Sequence, residues 1–180
     1  KRQDLVSEDA GTKIVHIELS TATEKTVTIP FTFANDAVIP ATGANTTGAY
    51  PVDFYHADFT AGGTLTINGD GTDPTPGVTL TLNILPDAID EWDEKILIVL
   101  GDSPNNALKG GTFQHTVTVT DASTSPTVNF SNSSFDSGNP EATQASNDYN
   151  LKDIISINRQ SGKDITFSIT TETDGNGATA

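Results

Sequence analysis

Val78-Thr79-Leu80-Thr81-Leu82-Asn83-Ile84 alternates apolar and polar side chains without a break, the two-residue period of a strand with one face in a core and one in water. The same period runs through Val27-Thr28-Ile29-Pro30-Phe31-Thr32-Phe33 and, more briefly, through Val15, Ile17 and Leu19 and through Val117 and Val119. Ile96 to Leu100 is almost wholly apolar, the pattern of a strand in mid-sheet. Turn formers such as Asn68-Gly69-Asp70-Gly71 and Lys109-Gly110-Gly111 separate the runs, and no helical period persists for a dozen residues. These features predict an all-β, antiparallel chain, most simply a two-sheet sandwich. Pro30 falls on the outward parity of its run, where the missing N–H suggests an edge strand or a bulge.

Composition removes several classes of function. The chain has no Cys, which excludes disulfide staples, thiolate zinc sites and a cysteine nucleophile. Asp and Glu number 24 against 9 Lys and Arg, a net charge of -15 that repels phosphate backbones and anionic membrane surfaces, so nucleic acid is not an expected partner. No stretch approaches the roughly 20 apolar residues of a membrane helix, so membrane insertion is not expected either. The absence of Met suggests a mature piece or a fragment of a longer chain. No phosphate loop, histidine metal motif or nucleophile elbow is present, and none of His16, His56 and His115 has a catalytic partner at a suggestive spacing; an enzyme is not expected.

The length of 180 residues holds one full sandwich and a remainder. Residues 1–122 form the first unit, 123–126 (within Asp121-Ala122-Ser123-Thr124-Ser125-Pro126) a connector, and 127–180 the start of a second unit that opens on Thr127-Val128-Asn129-Phe130. Ile155 and Ile157 followed by Ile165, Phe167 and Ile169 mirror Val15 and Ile17 followed by Val27, Ile29 and Phe31, a weak internal repeat. About three strands alone leave an apolar face and an unpaired edge, so the second unit is expected to be completed by further chain or by a neighbouring molecule.

Five elements in order carry a family resemblance. They are Ser7-Glu8-Asp9-Ala10-Gly11, His56-Ala57-Asp58-Phe59, Gly63-Thr64-Leu65-Thr66-Ile67, the acidic stretch Leu85-Pro86-Asp87-Ala88-Ile89-Asp90-Glu91-Trp92-Asp93-Glu94, and Thr116-Val117-Thr118-Val119-Thr120-Asp121. Their succession resembles the Calx-beta repeat over about residues 4 to 122, with the repeat's first strand missing and Thr127 to Phe130 standing at the head of the next copy. The resemblance implies a seven-stranded immunoglobulin-like antiparallel β-sandwich followed by an incomplete second sandwich unit. It also implies a Ca2+ site on Glu8, Asp58, Asp87, Glu91 and Asp121, with the backbone carbonyl of Ile89 as a further ligand.

The chemistry is coherent without the family. Calcium takes six to eight hard oxygen ligands, and carboxylates from several loops supply them only where those loops meet. Asp87 and Glu91 follow the run ending at Ile84, and Asp121 follows the run ending at Val119, so both reach one pole of a sandwich. Without a cation, carboxylates crowded there repel, and some must protonate or splay apart. Pro86, Ala122 and Ser123 stand where many calcium-binding members carry acids, which implies one ion rather than several. Asp93 and Glu94 read as surface or strand-entry residues, and Asp70 and Asp73 as parts of a plain hairpin turn. Trp92 reads as a cap on the core beneath the pole, with an exposed sugar platform as the alternative. The expected role is an extracellular structural module of a repetitive cell-surface or adhesin-type protein. It would be stiffened by calcium and partnered by neighbouring repeats, copies of itself, or a cell-surface or glycan receptor.

Overall fold

Burying one face of every alternating run requires two sheets laid face to face, and the chain forms them. The computed structural model describes residues 4–35, 39–49, 51–102, 106–130 and 155–170. The strands in chain order are β1 (Asp4–Ser7), β2 (Thr12–Glu18), β3 (Thr26–Asn35), β4 (Gly43–Ala44), β5 (Phe54–Tyr55), β6 (Gly63–Asn68), β7 (Gly77–Ile84), β8 (Glu94–Leu100), β9 (Gln114–Thr120), β10 (Val128–Phe130) and β11 (Ile155–Ile157). One sheet has the order β1-β9-β8-β3-β6 and the other β2-β7-β5-β4. The all-β sandwich expected from the sequence is therefore the observed fold.

The core lies between the sheets. Val27, Ile29 and Phe31 of β3, Leu65 and Ile67 of β6, Ile96 and Ile98 of β8, and Val117 and Val119 of β9 meet Val15 of β2, Phe54 of β5 and Leu80, Leu82 and Ile84 of β7. All are buried, on the parity that the alternating runs dictate. β8 sits between β9 and β3, as its apolar run requires.

Pro30 departs from its expectation, because β3 is an interior strand, flanked by β8 and β6. The β3–β8 ladder begins only at Phe31, opposite Leu100, and Pro30 contributes its carbonyl to Gly101 N–H at 2.8 Å. The residue sits where β8 has already ended, so its missing N–H leaves no ladder bond unmade.

Near its start the chain changes sheets. β1 lies parallel to β9 in the first sheet, a 3-10 turn at Glu8–Ala10 follows, and β2 pairs antiparallel with β7 in the second. Gly11 closes the turn at φ 75, a left-handed value that costs a glycine little, and its carbonyl accepts Ile84 N–H at 3.1 Å. The switch fixes Glu8 between the two sheets at one end of the core.

Of the expected second unit, residues 131–154 and 171–180 lie outside the described residues. β10 and β11 pair antiparallel as a two-stranded ribbon, with Val128 opposite Ile157. Ile165, Phe167 and Ile169 form no strand; Phe167 and Ile169 are exposed beside the ribbon, as are Phe130 and Ile157.

Candidate metal centre

Strand parity delivers acids to one pole. Glu8, Glu94 and Asp121 each stand two residues from an inward-facing core residue, Val6, Ile96 and Val119, and so continue the inner faces of β1, β8 and β9 past the end of the apolar core. Asp53 precedes the fully buried Phe54 and is held by backbone bonds to both sides: its N–H donates to Thr42 O at 2.9 Å, and its carbonyl accepts Leu85 N–H at 2.9 Å. Asp87 and Glu91 come from the loop between β7 and β8.

That loop is stapled at two points. Asp87 N–H donates to Glu8 Oε1 at 3.3 Å, and Asp87 Oδ1 accepts Ile89 N–H at 2.7 Å in a side-chain turn. Glu91 N–H donates to Asp121 Oδ2 at 2.9 Å, while Asp121 Oδ1 accepts Ser123 N–H at 2.7 Å. As a result Glu8, Asp53, Asp87, Glu91, Glu94 and Asp121 line a single cleft. Carboxylate oxygens of Asp53, Glu91 and Glu94 lie within 4.8 Å of one another.

So many like charges in a partly dehydrated cleft cannot all ionise freely. Desolvation, with the charges of Asp53, Asp87, Glu8 and Asp121 adding to it, pushes Glu91 up to about 7. Desolvation and the neighbouring Asp53 push Glu94 up to about 9. Burial also raises Asp53, against the opposing hydrogen bond from Glu94, and raises Glu8 against the N–H of Asp87. The side-chain hydrogen bond between Glu94 and Asp53 thus favours the protonated form of Glu94 beside an ionised Asp53. The donor set is all hard oxygen, from six side chains on five segments, which matches the ligand preference of Ca2+ and not that of a soft or nitrogen-seeking metal. The cluster can hold a metal ion.

The structure brings together Glu8, Asp87, Glu91 and Asp121 among the residues singled out from sequence. Ile89 belongs to the same loop, with its side chain buried and its N–H committed to Asp87. Asp58 is not brought to them. Its Oδ2 lies 3.9 Å from His56 Nδ1 and packs against Gly63, which pairs with Phe31, itself opposite Leu100 at the end of β8 remote from Glu94. Asp53 occupies the place expected of Asp58. Both precede a phenylalanine, but Phe54 is the fully buried one and Phe59 only partly so. Glu94, read from sequence as a strand-entry residue, is a member of the cluster, and its parity with Ile96 and Ile98 was the available signal.

Trp92 does not cap the core: it is 63% exposed at the rim of the cleft. The acidic stretch spends its apolar anchoring on Ile89 instead, which is buried. Beside the cleft Asp90 is buried and paired with Lys163, whose ammonium holds it below the usual carboxylate range.

No protein-family model and no curated protein matches the sequence. Among solved structures the chain is similar to the calcium binding domain CBD12 of CALX1.1, at 16% identity and a TM-score of 0.49, over 66% of this chain and 41% of that one. It is also similar to the apo-form Calx CBD1 domain, at 16% identity and a TM-score of 0.45 over 66% of this chain and 89% of that chain. For the Calx CBD2 domain the values are 14%, 0.47, 67% and 83%. The chain spans less than half of the CBD12 structure it matches. These neighbours are of the kind named by the sequence resemblance. Fold and site together define a two-sheet β-sandwich module with a carboxylate-lined pole.

Proposed function

We propose that this chain is a non-enzymatic, extracellular structural and interaction module that binds calcium at the carboxylate pole. The observation that carries the reading is the convergence of Asp53, Glu91 and Glu94 to within 4.8 Å, with Glu8, Asp87 and Asp121 around them. Asp53, Glu91, Glu94 and Asp121 would hold the ion, and Glu8 and Asp87 would complete or orient the set. When bound, the ion supplies positive charge that replaces the protons now retained there. With Glu8, Asp87, Glu91 and Asp121 held to one ion, the β1–β2 switch, the β7–β8 loop and the end of β9 would be tied to one another at that pole.

A thermal melt with calcium and with a chelator tests this, since a ligand that binds only the folded state raises stability by mass action. A calcium-dependent rise in Tm that disappears in Asp53→Ala or Glu91→Ala is the expected result. An identical Tm in both conditions would refute the calcium reading.

The module is further proposed to work in a repetitive cell-surface or adhesin-type protein, partnered by neighbouring repeats or copies of itself. Exposed Phe130, Ile157, Phe167 and Ile169 on and beside the β10–β11 ribbon support completion of the second unit by added strands, head to tail, into a filament. A purified chain that sediments as a folded monomer at high concentration with calcium would sink the filament reading.

The exposed ring of Trp92 supports a second reading, a carbohydrate-binding adhesion module that uses the rim of the pole. A glycan array without hits, or glycan binding unchanged in Trp92→Ala, argues against it.

A further inference from the structure

The pole carries a cation of its own, supplied from outside the first unit. Lys163 Nζ lies 2.8 Å from Asp90 Oδ1 and 3.6 Å from Asp121 Oδ2, and 5.1 Å from the centroid of the Trp92 ring. The backbone places it there: Gly162 N–H donates to Asp90 O at 3.0 Å, Ser161 Oγ donates to the same carbonyl at 3.2 Å, and Lys163 N–H donates to Ser161 Oγ at 3.0 Å. Arg159 adds a bond from Nη1 to Thr124 O at 3.2 Å. The Asp90 and Asp121 side chains are 7% and 10% exposed and that of Lys163 is 23% exposed, so the ammonium meets the two carboxylates from the water side.

Asp121 is the shared element. Its carboxylate lines the cleft and staples Glu91, and its Oδ2 also faces the ammonium. We propose that Lys163 is a tethered competitor for the pole: its charge at Asp121 lowers the affinity of the cleft for divalent cations, and a cation in the cleft loosens the docking of residues 155–170 on the first unit. The two effects are one coupling seen from either side, because linkage between two binding events is reciprocal. The inference rests on the calcium reading above and adds to it what sets the affinity of the site and what occupancy does to the neighbouring segment.

The test is a calorimetric calcium titration of the full chain as wild type, Lys163→Met and Lys163→Arg, with Trp92 fluorescence followed in parallel. Methionine keeps an unbranched side chain and removes the charge; arginine keeps the charge. Lys163→Met is expected to bind calcium roughly tenfold more tightly, the size of a unit charge acting on a divalent ion across a few ångströms of largely aqueous surroundings, while Lys163→Arg stays close to wild type. Trp92 is the only tryptophan, and its emission is expected to shift with calcium in wild type, as the ammonium leaves its ring, and to shift less in Lys163→Met. Equal or weaker calcium binding by Lys163→Met overturns the competition and leaves the calcium site standing. Emission that saturating calcium does not move in the wild-type chain overturns the coupling without recourse to any variant. Absence of calcium binding in all three proteins removes the calcium reading itself, and this inference with it.

Discussion

Glu94 and Glu91 set the pH behaviour of the pole. Both are raised from an ordinary value of 4.5, to about 9 and about 7. Between the unfolded and the folded values the folded chain holds more protons than the unfolded one, so stability falls as pH rises through that window. The chelated protein should therefore lose Tm steadily from pH 5 to pH 9, by a few degrees or more, in a series of melts at fixed ionic strength. Calcium must displace the same protons, so its stabilising increment should grow over the same range. Glu94→Gln keeps a hydrogen-bond donor for Asp53 and removes the late titration. It should raise the Tm of the chelated protein at pH 8, flatten the upper part of the pH profile, and lose most of the calcium increment. Asp53→Ala and Asp58→Ala separate the two candidate placements: the first should abolish the calcium increment and the second should leave it intact. The sequence carried most of this site: Asp87, Glu91 and Asp121 follow recognisable runs, and Glu8 came from the family resemblance alone. Asp53 was harder, because two Asp-Phe pairs lie five residues apart and only burial of the ring distinguishes them. Glu94 was visible in its parity with Ile96 and Ile98, a periodicity argument extended one step past the apolar run.

At the level of strands, alternation was sufficient wherever a run was long. β2, β3, β7, β8 and β9 follow from it, and Leu65 and Ile67 mark β6. It was silent on β1, β4 and β5, two to four residues each, because so short a segment shows too few repeats of its period to be distinguished from a loop; their pairing comes from partners distant in sequence. It also overstated Ile165, Phe167 and Ile169, whose alternation is real but which have no strand partner among the described residues. The interior strands should be correspondingly sensitive. Leu82→Ala, at a fully buried position of β7, should lower the unfolding free energy by about 2–5 kcal/mol in denaturant titrations. Gly69 lies where the β6–β7 turn passes directly over the backbone carbonyl of Thr23, and a Cβ there would overlap that oxygen. Gly69→Ala should force the two connections apart and cost about 1–3 kcal/mol in the same assay, with the calcium increment unchanged because the pole is at the other end of β7.

On the scale of the molecule, the parallel pairing of β1 with β9 fixes how the first unit meets a load. Four register pairs, Asp4 with Val117 through Ser7 with Thr120, join the segment that enters the unit to the one that leaves it. β1 runs toward the pole, and the segment after β9 departs at the pole. Tension between the two ends therefore acts along the strand axes in opposite senses. It shears all four pairs at once instead of peeling them open one after another, and the contacts of Asp4 with Lys13 and His115 brace the same strand sideways. Rupture then requires several hydrogen bonds to fail together, so the unit is built to bear a pull along its length, and the first thing to give way under force should be β1 rather than the core behind it.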